Sequence, residues 1–384
     1  MTNKTSIGSI LREERTKLGY TLKDIAKLMN YKSYQILSSI ESDKRQLKAW
    51  ELSKLASIYK KPVAFFAESQ SIAEEPRVLW RKAFDSIEQV KIERDFLSYC
   101  KNYRRLIELT NEANNFTNNL PIRTPDKQRL RQSPYSYVEE IADECQKILN
   151  LGAKPAYSLV NILENSLGVK VFFVDLGIWG SAASTVHENG AAILVNSSEA
   201  PWRRNYNLAH EFFHLITWDL FSELEIYADG TEKSEIEKWA DAFASALLLP
   251  ATELRKEFNK RLEDTRISFI SLVEIAREFC VSIEALLWRL SNIGLLKRKD
   301  VSGCLEKGEI KDIDKKSRIR DWEEKRIHIS DRYISLSIKA FKMDKISKSK
   351  FAEYVNISFS QVSNFLKKYG YDEDEDYSFE FSAS

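Results

Sequence analysis

Apolar and polar residues repeat with a helical period along most of the chain. Between residues 7 and 67, apolar pairs recur every three or four positions, and Gly19 and Asn30 divide the stretch into short segments. Thr21 is a favourable N-cap for the segment that follows Gly19. The pattern predicts a bundle of short helices in which two neighbours, joined by a tight turn, form a helix-turn-helix.

The rest of the chain has the pattern of a mainly helical protein with a few strands. Residues 78–110 are predicted to form one long helix. Val169–Val174 is a β-branched and aromatic run and predicts a strand, and Ala191–Asn196 predicts a second. Two amphipathic helices follow, over Asn205–Trp218 and Ser234–Leu249. The predicted fold class is therefore mainly α with a small β-sheet.

Charge is balanced overall but uneven along the chain. The 384 residues include 58 Lys and Arg and 57 Asp and Glu, a net charge of +1, which argues against nucleic-acid binding along the whole length. Residues 1–69 hold 13 basic and 7 acidic residues, an excess of +6, whereas residues 370–384 carry −6. Phosphate contacts require such a local basic excess. We expect the acidic tail to be disordered and to compete with DNA for the basic N-terminal region.

Cysteine content and hydropathy predict the cellular compartment. The four cysteines are too few and too far apart for a disulfide framework or a CxxC metal knuckle, so we expect core residues in a reducing compartment. The first ten residues lack the apolar core of a secretory signal, and no run approaches the ~18 apolar residues of a membrane span. A cytoplasmic protein without membrane contact is therefore expected.

A set of residues in the N-terminal bundle carries a family resemblance. These residues are Leu11, Arg12, Arg15, Gly19, Thr21, Ile25, Ala26, Ser38, Ile40, Glu41, Lys44 and Arg45. They resemble the Xre family of phage-type repressors, which implies that residues 1–68 bind duplex DNA. The turn at residues 30–33 is one residue longer than the commonest turn. A bundle that dimerises, giving a homodimer, or that docks another protein is the alternative.

The second helix of a helix-turn-helix enters the major groove. Polar residues early on this helix are candidates for base edges, and basic residues that flank it are candidates for phosphates. The first group is Tyr34, Gln35 and Ser38, and the second is Lys32, Lys44 and Arg45.

The helix over Asn205–Trp218 contains an HExxH pattern. His210 and His214 are four residues apart and project from the same helix face, so both imidazoles can reach one ion. Glu211 directly follows His210 on the helix, so its side chain is expected beside the coordination position that the protein ligands leave open. This geometry suits hydrolysis. A metal ion activates a water molecule, and Glu211 takes a proton from that water and delivers one to the leaving amine.

The next amphipathic helix supplies the expected third ligand. Glu237 and Asp241 lie four residues apart and project side by side from it. We assign Glu237 as the third ligand and Asp241 as the acceptor of the remaining N–H of a ligand histidine. Zinc is expected on ligand preference, with manganese as the alternative. In the simpler interpretation, these histidines and carboxylates are only core or solvated side chains.

The segment from about residue 155 to 295 resembles the ImmA/IrrE family of zinc metallopeptidases. The matching residues are the strand Ala191–Asn196, Arg203, Arg204, Leu208–Glu211, His214, Glu237, Ala240, Asp241, Phe243, Ala244 and Leu247–Pro250. Phe213 replaces a glycine that is frequent in the family, and Asn207 replaces a threonine. The resemblance implies an α+β zincin-like domain that commonly cleaves an Xre-type repressor.

The resemblance also implies how a substrate binds. In peptidases of this layout, substrate adds as a β-strand to the edge strand before the active helix. The predicted edge consists of Ala192, Ile193, Leu194 and Val195. The candidates for oxyanion stabilisation are Tyr227, Arg203 and Arg204.

The C-terminal third contains two further hairpin patterns. Leu272–Leu290 and Lys350–Leu366 each place an apolar-Ala pair before an apolar-Ser pair and a helix. Both resemble a helix-turn-helix, but such hairpins also occur as packing units, and packing is the favoured interpretation. The first hairpin is expected to cover the peptidase domain.

Five parts are predicted along the chain. They are a helix-turn-helix domain (1–68), a linker and helical connector (69–135), a metallopeptidase domain (136–298), a helical C-terminal region (299–369) and an acidic disordered tail (370–384).

The predicted function is a DNA-binding zinc metalloendopeptidase. It would cleave a protein partner, an Xre-type repressor, in a stress, mobile-element or phage-related response. One alternative is a DNA-binding regulator whose metallopeptidase-like domain is a sensor or dimerisation platform with little turnover. A second alternative is a regulator that cleaves itself.

Overall fold

The computed structural model describes residues 7–45, 47–59, 61, 63, 66, 77–80, 87–112, 122–226, 234–317 and 329–371. The chain divides into two compact units, Met1–Pro76 and Arg77–Ser384. Residues 69–76 of the predicted linker and connector, Tyr227 and residues 372–384 of the predicted tail lie outside the described residues. No helix in the described part of the chain is long and apolar enough to cross a membrane.

The first unit is a bundle of short helices. They are α1 (Ile7–Lys17), α2 (Leu22–Leu28), α3 (Tyr34–Glu41) and α4 (Ala49–Ile58). Thr21 and Asp24 form a capping box that starts α2, and the Ser33 hydroxyl accepts the Gln35 N–H at the start of α3. Between these helices Asn30 adopts a left-handed conformation with φ of 57°. The helix-turn-helix is therefore defined by local capping and by one turn residue.

An ion pair joins the first and third helices of this unit. Arg15 Nε and Nη2 donate to Glu41 Oε1 and Oε2 at 2.7 and 2.9 Å, and Nη1 donates to the Tyr20 carbonyl at 2.9 Å. Both side chains are largely buried. This hydrogen bonding to Glu41 raises the pKa of Arg15. Two residues of the repressor-like pattern thus stabilise the bundle itself.

Replacement of Glu41 by Ala is expected to destabilise the first unit by about 3 kcal/mol, because it leaves Arg15 without its charge partner. Hydrogen exchange of the α1 and α3 amides measures this locally, and we expect exchange to accelerate about a hundredfold. The matched control is Glu140→Ala, which removes the exposed partner of Arg129 and should change protection little. Equal effects of the two variants would contradict a structural role of the Arg15–Glu41 pair.

A four-stranded sheet organises the second unit. Its strands are β1 (Val78–Trp80), β2 (Lys170–Val174), β3 (Ala182–His187) and β4 (Gly190–Asn196), in the order β1-β3-β4-β2. β3 pairs antiparallel with β1 and β4, and β2 is parallel to β4. The mixed sheet therefore has β1 and β2 at its edges.

Two predictions about strands are wrong. Val78–Trp80 form an edge strand rather than the start of a helix, because they pair with Ala183–Thr185 across more than a hundred residues of sequence. β4 is not an edge strand, because β3 and β2 hydrogen-bond to both of its sides. Local periodicity carries no information about either long-range pairing.

Helices cover both faces of the sheet. The helices before and around the site are α5 (Ile87–Leu109), α6 (Lys127–Gln132), α7 (Pro134–Leu149), α8 (Leu159–Asn165), α9 (Pro201–Ile216), α10 (Glu223–Ile226) and α11 (Glu235–Leu248). Those that follow are α12 (Ala251–Lys260), α13 (Phe269–Glu278), α14 (Ile283–Asn292), α15 (Arg298–Lys307) and α16 (Glu309–Ser317).

The two faces have separate cores. On one face, α9 lies against β3 and β4, and α11 packs against both α9 and α7. The hairpin α13–α14 contributes Ile275, Leu286 and Leu287 to this main core. On the other face, α5 supplies Phe96 and Tyr103 to a second core. Residues 78–112, predicted as part of a connector, thus supply β1 and α5 to the second unit.

Three more helices follow in the described part of the second unit. They are α17 (Asp331–Lys342), α18 (Lys348–Tyr354) and α19 (Val362–Lys368), with a 3-10 turn at Phe359–Gln361. α17 packs on α5 and places Tyr333 and Leu336 in the second core. α18 and α19 form a small core of their own with α17.

Candidate metal centre

The centre is built on α9, which begins at Pro201 and presents one face to the sheet and another to α11. Leu208, Phe212 and Phe213 are buried in the main core. Their burial fixes the rotation of the helix about its axis, so that His210 and His214 point toward α11. Both histidines are buried.

α11 is held in place at two points. The Ser234 hydroxyl accepts the Glu237 N–H at 3.2 Å and caps the helix at its first turn. The Tyr206 hydroxyl of α9 donates to the Asp241 carbonyl at 2.7 Å. Glu237 and Asp241 therefore face α9 from positions that are one helical turn apart.

Three side chains converge at one point between these helices. His210 Nε2 lies 3.3 Å from His214 Nε2 and 3.2 Å from Glu237 Oε2, and His214 Nε2 lies 3.0 Å from Glu237 Oε1. Ligand atoms about 2.0–2.1 Å from one zinc ion in a tetrahedron are about 3.3 Å apart. The three side chains thus have the spacing and the chemistry of a two-imidazole, one-carboxylate metal site.

The electrostatics of the cluster also fit a cation. Burial raises the pKa of the Glu237 carboxyl, but hydrogen bonds with His210 and His214 hold that pKa well below its ordinary value. Glu237 is therefore a carboxylate at neutral pH. Two imidazole nitrogens and a carboxylate in a buried space are the ligands that Zn²⁺ prefers.

Asp241 lies behind the cluster and orients one imidazole. Its Oδ1 is 2.9 Å from His210 Nδ1. With a proton on Nδ1 donated to Asp241, His210 would offer its Nε2 lone pair to a metal ion bound between His210, His214 and Glu237. Sequence reasoning predicted a ligand histidine as the partner of Asp241, and the structure identifies it as His210.

Glu211 has a partner that sequence reasoning missed. The Ser184 hydroxyl of β3 donates to Glu211 Oε2 at 2.7 Å, and both side chains are fully buried. The weak alternation of β3, whose residues are mostly small, hides this strand. The Asn189-Gly190 dipeptide was the available signal, because Asn-Gly between two extended runs is typical of a β-hairpin.

The other predicted site residues fall elsewhere. Ala192, Ile193, Leu194 and Val195 lie inside the sheet, and their backbone groups pair with β2 and β3. Arg203 lies two helical turns, about 10.5 Å along the axis, before His210 and pairs with Glu199. Arg204 is buried, and burial lowers its pKa. The oxyanion assignments stay predictions.

Most of the candidate DNA contacts are exposed on the first unit. Lys32, Tyr34, Gln35 and Lys44 are exposed, and Ser38 is half-buried. Arg45 differs, because its Nη1 lies 3.0 Å from Oε1 of Glu51, whose side chain is buried. The same carboxylate accepts the Tyr31 hydroxyl at 2.9 Å. Arg45 thus neutralises a buried charge in addition to any phosphate contact.

Two families match the two parts of the chain in which these features lie. Residues 11–66 match a helix-turn-helix family, and residues 164–291 match the family described as the IrrE N-terminal-like domain. The chain therefore has one segment that matches a helix-turn-helix family and a second segment that matches the IrrE N-terminal-like domain.

One curated relative is similar to part of the chain. The radiation response metalloprotease IrrE of Deinococcus deserti is 31% identical over 145 residues, which are 37% of this chain and 48% of that protein. The chain thus spans about half the length of this relative.

Similarity to solved structures is weaker. A Mycobacterium tuberculosis transcriptional regulator aligns with 49% of this chain and 51% of its own, with a TM-score of 0.31 and 17% identity. Bacillus thuringiensis PlcR in complex with the peptide PapR7 and DNA aligns over 95% and 96%, with a TM-score of 0.18 and 11% identity. Both TM-scores are too low to define a common fold.

Proposed function

We propose that this protein is a DNA-binding zinc metalloendopeptidase that hydrolyses a peptide bond in a protein partner, an Xre-type repressor. The convergence of His210, His214 and Glu237 beside Glu211 is the observation that carries the proposal. The match to the IrrE-like family supports it. A regulator that binds DNA and cleaves another DNA-binding regulator would connect the two domains in one function.

Each residue of the cluster has a role in this proposal. His210, His214 and Glu237 would hold the metal, with Asp241 keeping His210 in the tautomer that binds it. Zinc, when bound, lowers the pKa of water and polarises a carbonyl. Glu211 takes a proton from the attacking water and returns it to the leaving amine. Ser184 holds Glu211 Oε2, so that the carboxylate keeps one orientation during both transfers.

Comparison of protein N termini in cells that express the wild type or Glu211→Gln tests the proposal. We expect new N termini only with the wild type, and we expect one of them in a helix-turn-helix repressor. If metal-replete wild type produces no new N terminus, peptidase activity toward cellular proteins is contradicted. A single wild-type cut within this chain would instead identify the self-cleaving alternative.

A low-turnover regulator is the second candidate, and the covered site favours it. β1 pairs along β3, the strand that carries Ser184, so the outer side of β3 is already hydrogen-bonded. The side chains of His210 and Glu211 are fully buried. In this candidate, metal binding changes the DNA affinity of the full chain without cleavage of any protein. Titration of the chelated protein with zinc, followed by DNA-binding measurements on the wild type and Glu211→Gln, separates the two candidates.

Ser184→Ala is expected to lower the turnover number about tenfold with little change in KM or in zinc content, because it removes one hydrogen bond to Glu211. Ser184→Thr keeps the hydroxyl and should recover part of the rate. The matched control is Ser181→Ala, whose hydroxyl donates to Glu199 rather than to Glu211. A turnover number that Ser184→Ala leaves unchanged would contradict the positioning role.

A further inference from the structure

The last three helices repeat the order of turns and caps found in the first unit. In the first unit, left-handed residues at Gly19 and Asn30 precede the N-caps of α2 and α3. In the C-terminal region, Asp344 and Asn356 adopt left-handed φ angles of 53° and 51°. Ser347 then caps α18, and Ser358 begins the helical stretch that leads into α19.

The buried positions also correspond. Ile25 and Ala26 of α2 are both buried, and so are Phe351 and Ala352 of α18. Leu37 lies four residues after the Ser33 cap and is fully buried, as Val362 is four residues after Ser358. Side chains of α17, α18 and α19 form one small core. Residues 329–371 therefore contain a three-helix unit with the packing of a helix-turn-helix.

The exposed face of the last helical stretch is polar and basic. Ser360, Gln361, Asn364, Lys367 and Lys368 are exposed. An aromatic residue occupies the position directly after the N-cap in both regions and is exposed to solvent. Tyr34, after Ser33 in the first unit, is 44% exposed, and Phe359, after Ser358 in the C-terminal region, is 60% exposed. Residues 329–371 include eight Lys and Arg and three Asp and Glu, an excess of +5. This charge is complementary to a phosphate backbone.

The other hairpin of the chain provides a contrast. The second helix of α13–α14 buries Ile283, Leu286, Leu287, Arg289 and Leu290, so it is enclosed by its neighbours. α19 buries only Val362 and Leu366 among its seven residues. The two hairpins have similar local sequence patterns, but the second helix of the C-terminal hairpin exposes three of its seven residues, whereas α14 exposes two of its ten, Glu284 and Asn292.

We propose that residues 347–371 form a second helix-turn-helix that binds duplex DNA. The stretch Phe359–Lys368 enters the major groove, where Ser360, Gln361 and Asn364 meet base edges and Lys367 and Lys368 contact phosphates. The full chain then binds DNA through two separate helix-turn-helix segments, one in the first unit and one at residues 347–371. This inference does not depend on peptidase activity, since it concerns a different surface.

DNA binding by the full chain, measured by fluorescence anisotropy with a 30-base-pair duplex at several salt concentrations, tests the proposal. Lys367→Glu/Lys368→Glu should weaken binding at least tenfold at low salt. It should also reduce the slope of log affinity against log salt by about 2, close to 0.9 for each lost phosphate contact. Lys367→Gln/Lys368→Gln should reduce the slope similarly with less disturbance of the fold.

The matched control is Lys315→Glu/Lys316→Glu on α16. These lysines are also adjacent and exposed, and the change in net charge is the same. We expect the control to retain the wild-type slope. Equal effects in the C-terminal and control variants would show a general charge effect and overturn the proposal. If Lys367→Gln/Lys368→Gln leaves the slope of log affinity against log salt unchanged, the proposal is also overturned. This result would indicate that the exposed face binds a protein partner instead.

Discussion

Glu211→Gln is expected to leave one zinc ion bound per chain and to lower the rate of peptide-bond hydrolysis about a thousandfold. The amide has nearly the same shape as the carboxylate and can still accept the Ser184 hydrogen bond, so the packing of α9 against β3 should persist. It cannot accept a proton from water at neutral pH. General-base catalysis contributes about 10²–10⁴-fold, and this contribution is what the substitution removes.

The measurement pairs zinc analysis of the purified protein with single-turnover cleavage of the substrate identified from its new N terminus. Glu235→Gln serves as the control, because this carboxylate lies on α11 and pairs with Lys238 at the surface. Undiminished cleavage by Glu211→Gln would exclude its role as the base. Loss of both zinc and activity would instead show that Glu211 contributes to metal binding.

Glu237→Ala is expected to abolish stoichiometric zinc binding. It removes one of three converging ligands and leaves His210 Nε2 and His214 Nε2 facing each other at 3.3 Å. Two imidazoles hold zinc far less tightly than two imidazoles with a carboxylate, and a missing ligand leaves the remaining ones poorly oriented. We expect metal content to fall from one ion per chain to a small fraction after dialysis.

Asp241→Asn separates ligation from orientation. Its side chain contacts His210 Nδ1 at 2.9 Å rather than the convergence point of the three ligands. This variant should keep zinc with an affinity reduced about 10–100-fold, whereas Glu237→Ala should lose it. Full zinc occupancy in Glu237→Ala would show that a different group is the third ligand. Calorimetric titration of the dialysed proteins with zinc distinguishes the two effects.

Much of the candidate site is predictable from local sequence, because a helix has a fixed period. Residues four apart on one helix face, such as His210 and His214 or Glu237 and Asp241, project side by side wherever the helix lies. Burial of Leu208 and Phe212 then turns the histidines toward the protein interior. The helix-turn-helix is local in the same way, since the Thr21 cap and the left-handed Asn30 belong to one short segment.

Residues distant in sequence escaped prediction. Ser184 contacts Glu211 because β3 lies over α9, a placement that depends on the order of strands in the sheet. Strand order also explains why β4, expected at an edge, lies inside the sheet and why Val78–Trp80 form a strand beside β3. Arg45, expected at a phosphate, also balances the buried charge of Glu51. None of these contacts produces a periodic signal.

The sequence by itself determined which residues share a helix face and where helices begin. Its local patterns were therefore sufficient to name His210, Glu211, His214 and Glu237. Tertiary structure alone decided that two separate helices bring their candidate ligand atoms within 3.3 Å of one another, that β1 pairs with β3, and that α19 is more exposed to solvent than α14. The physical reason is that helical periodicity and capping act over a few residues, whereas strand pairing and burial are set by packing across the whole unit.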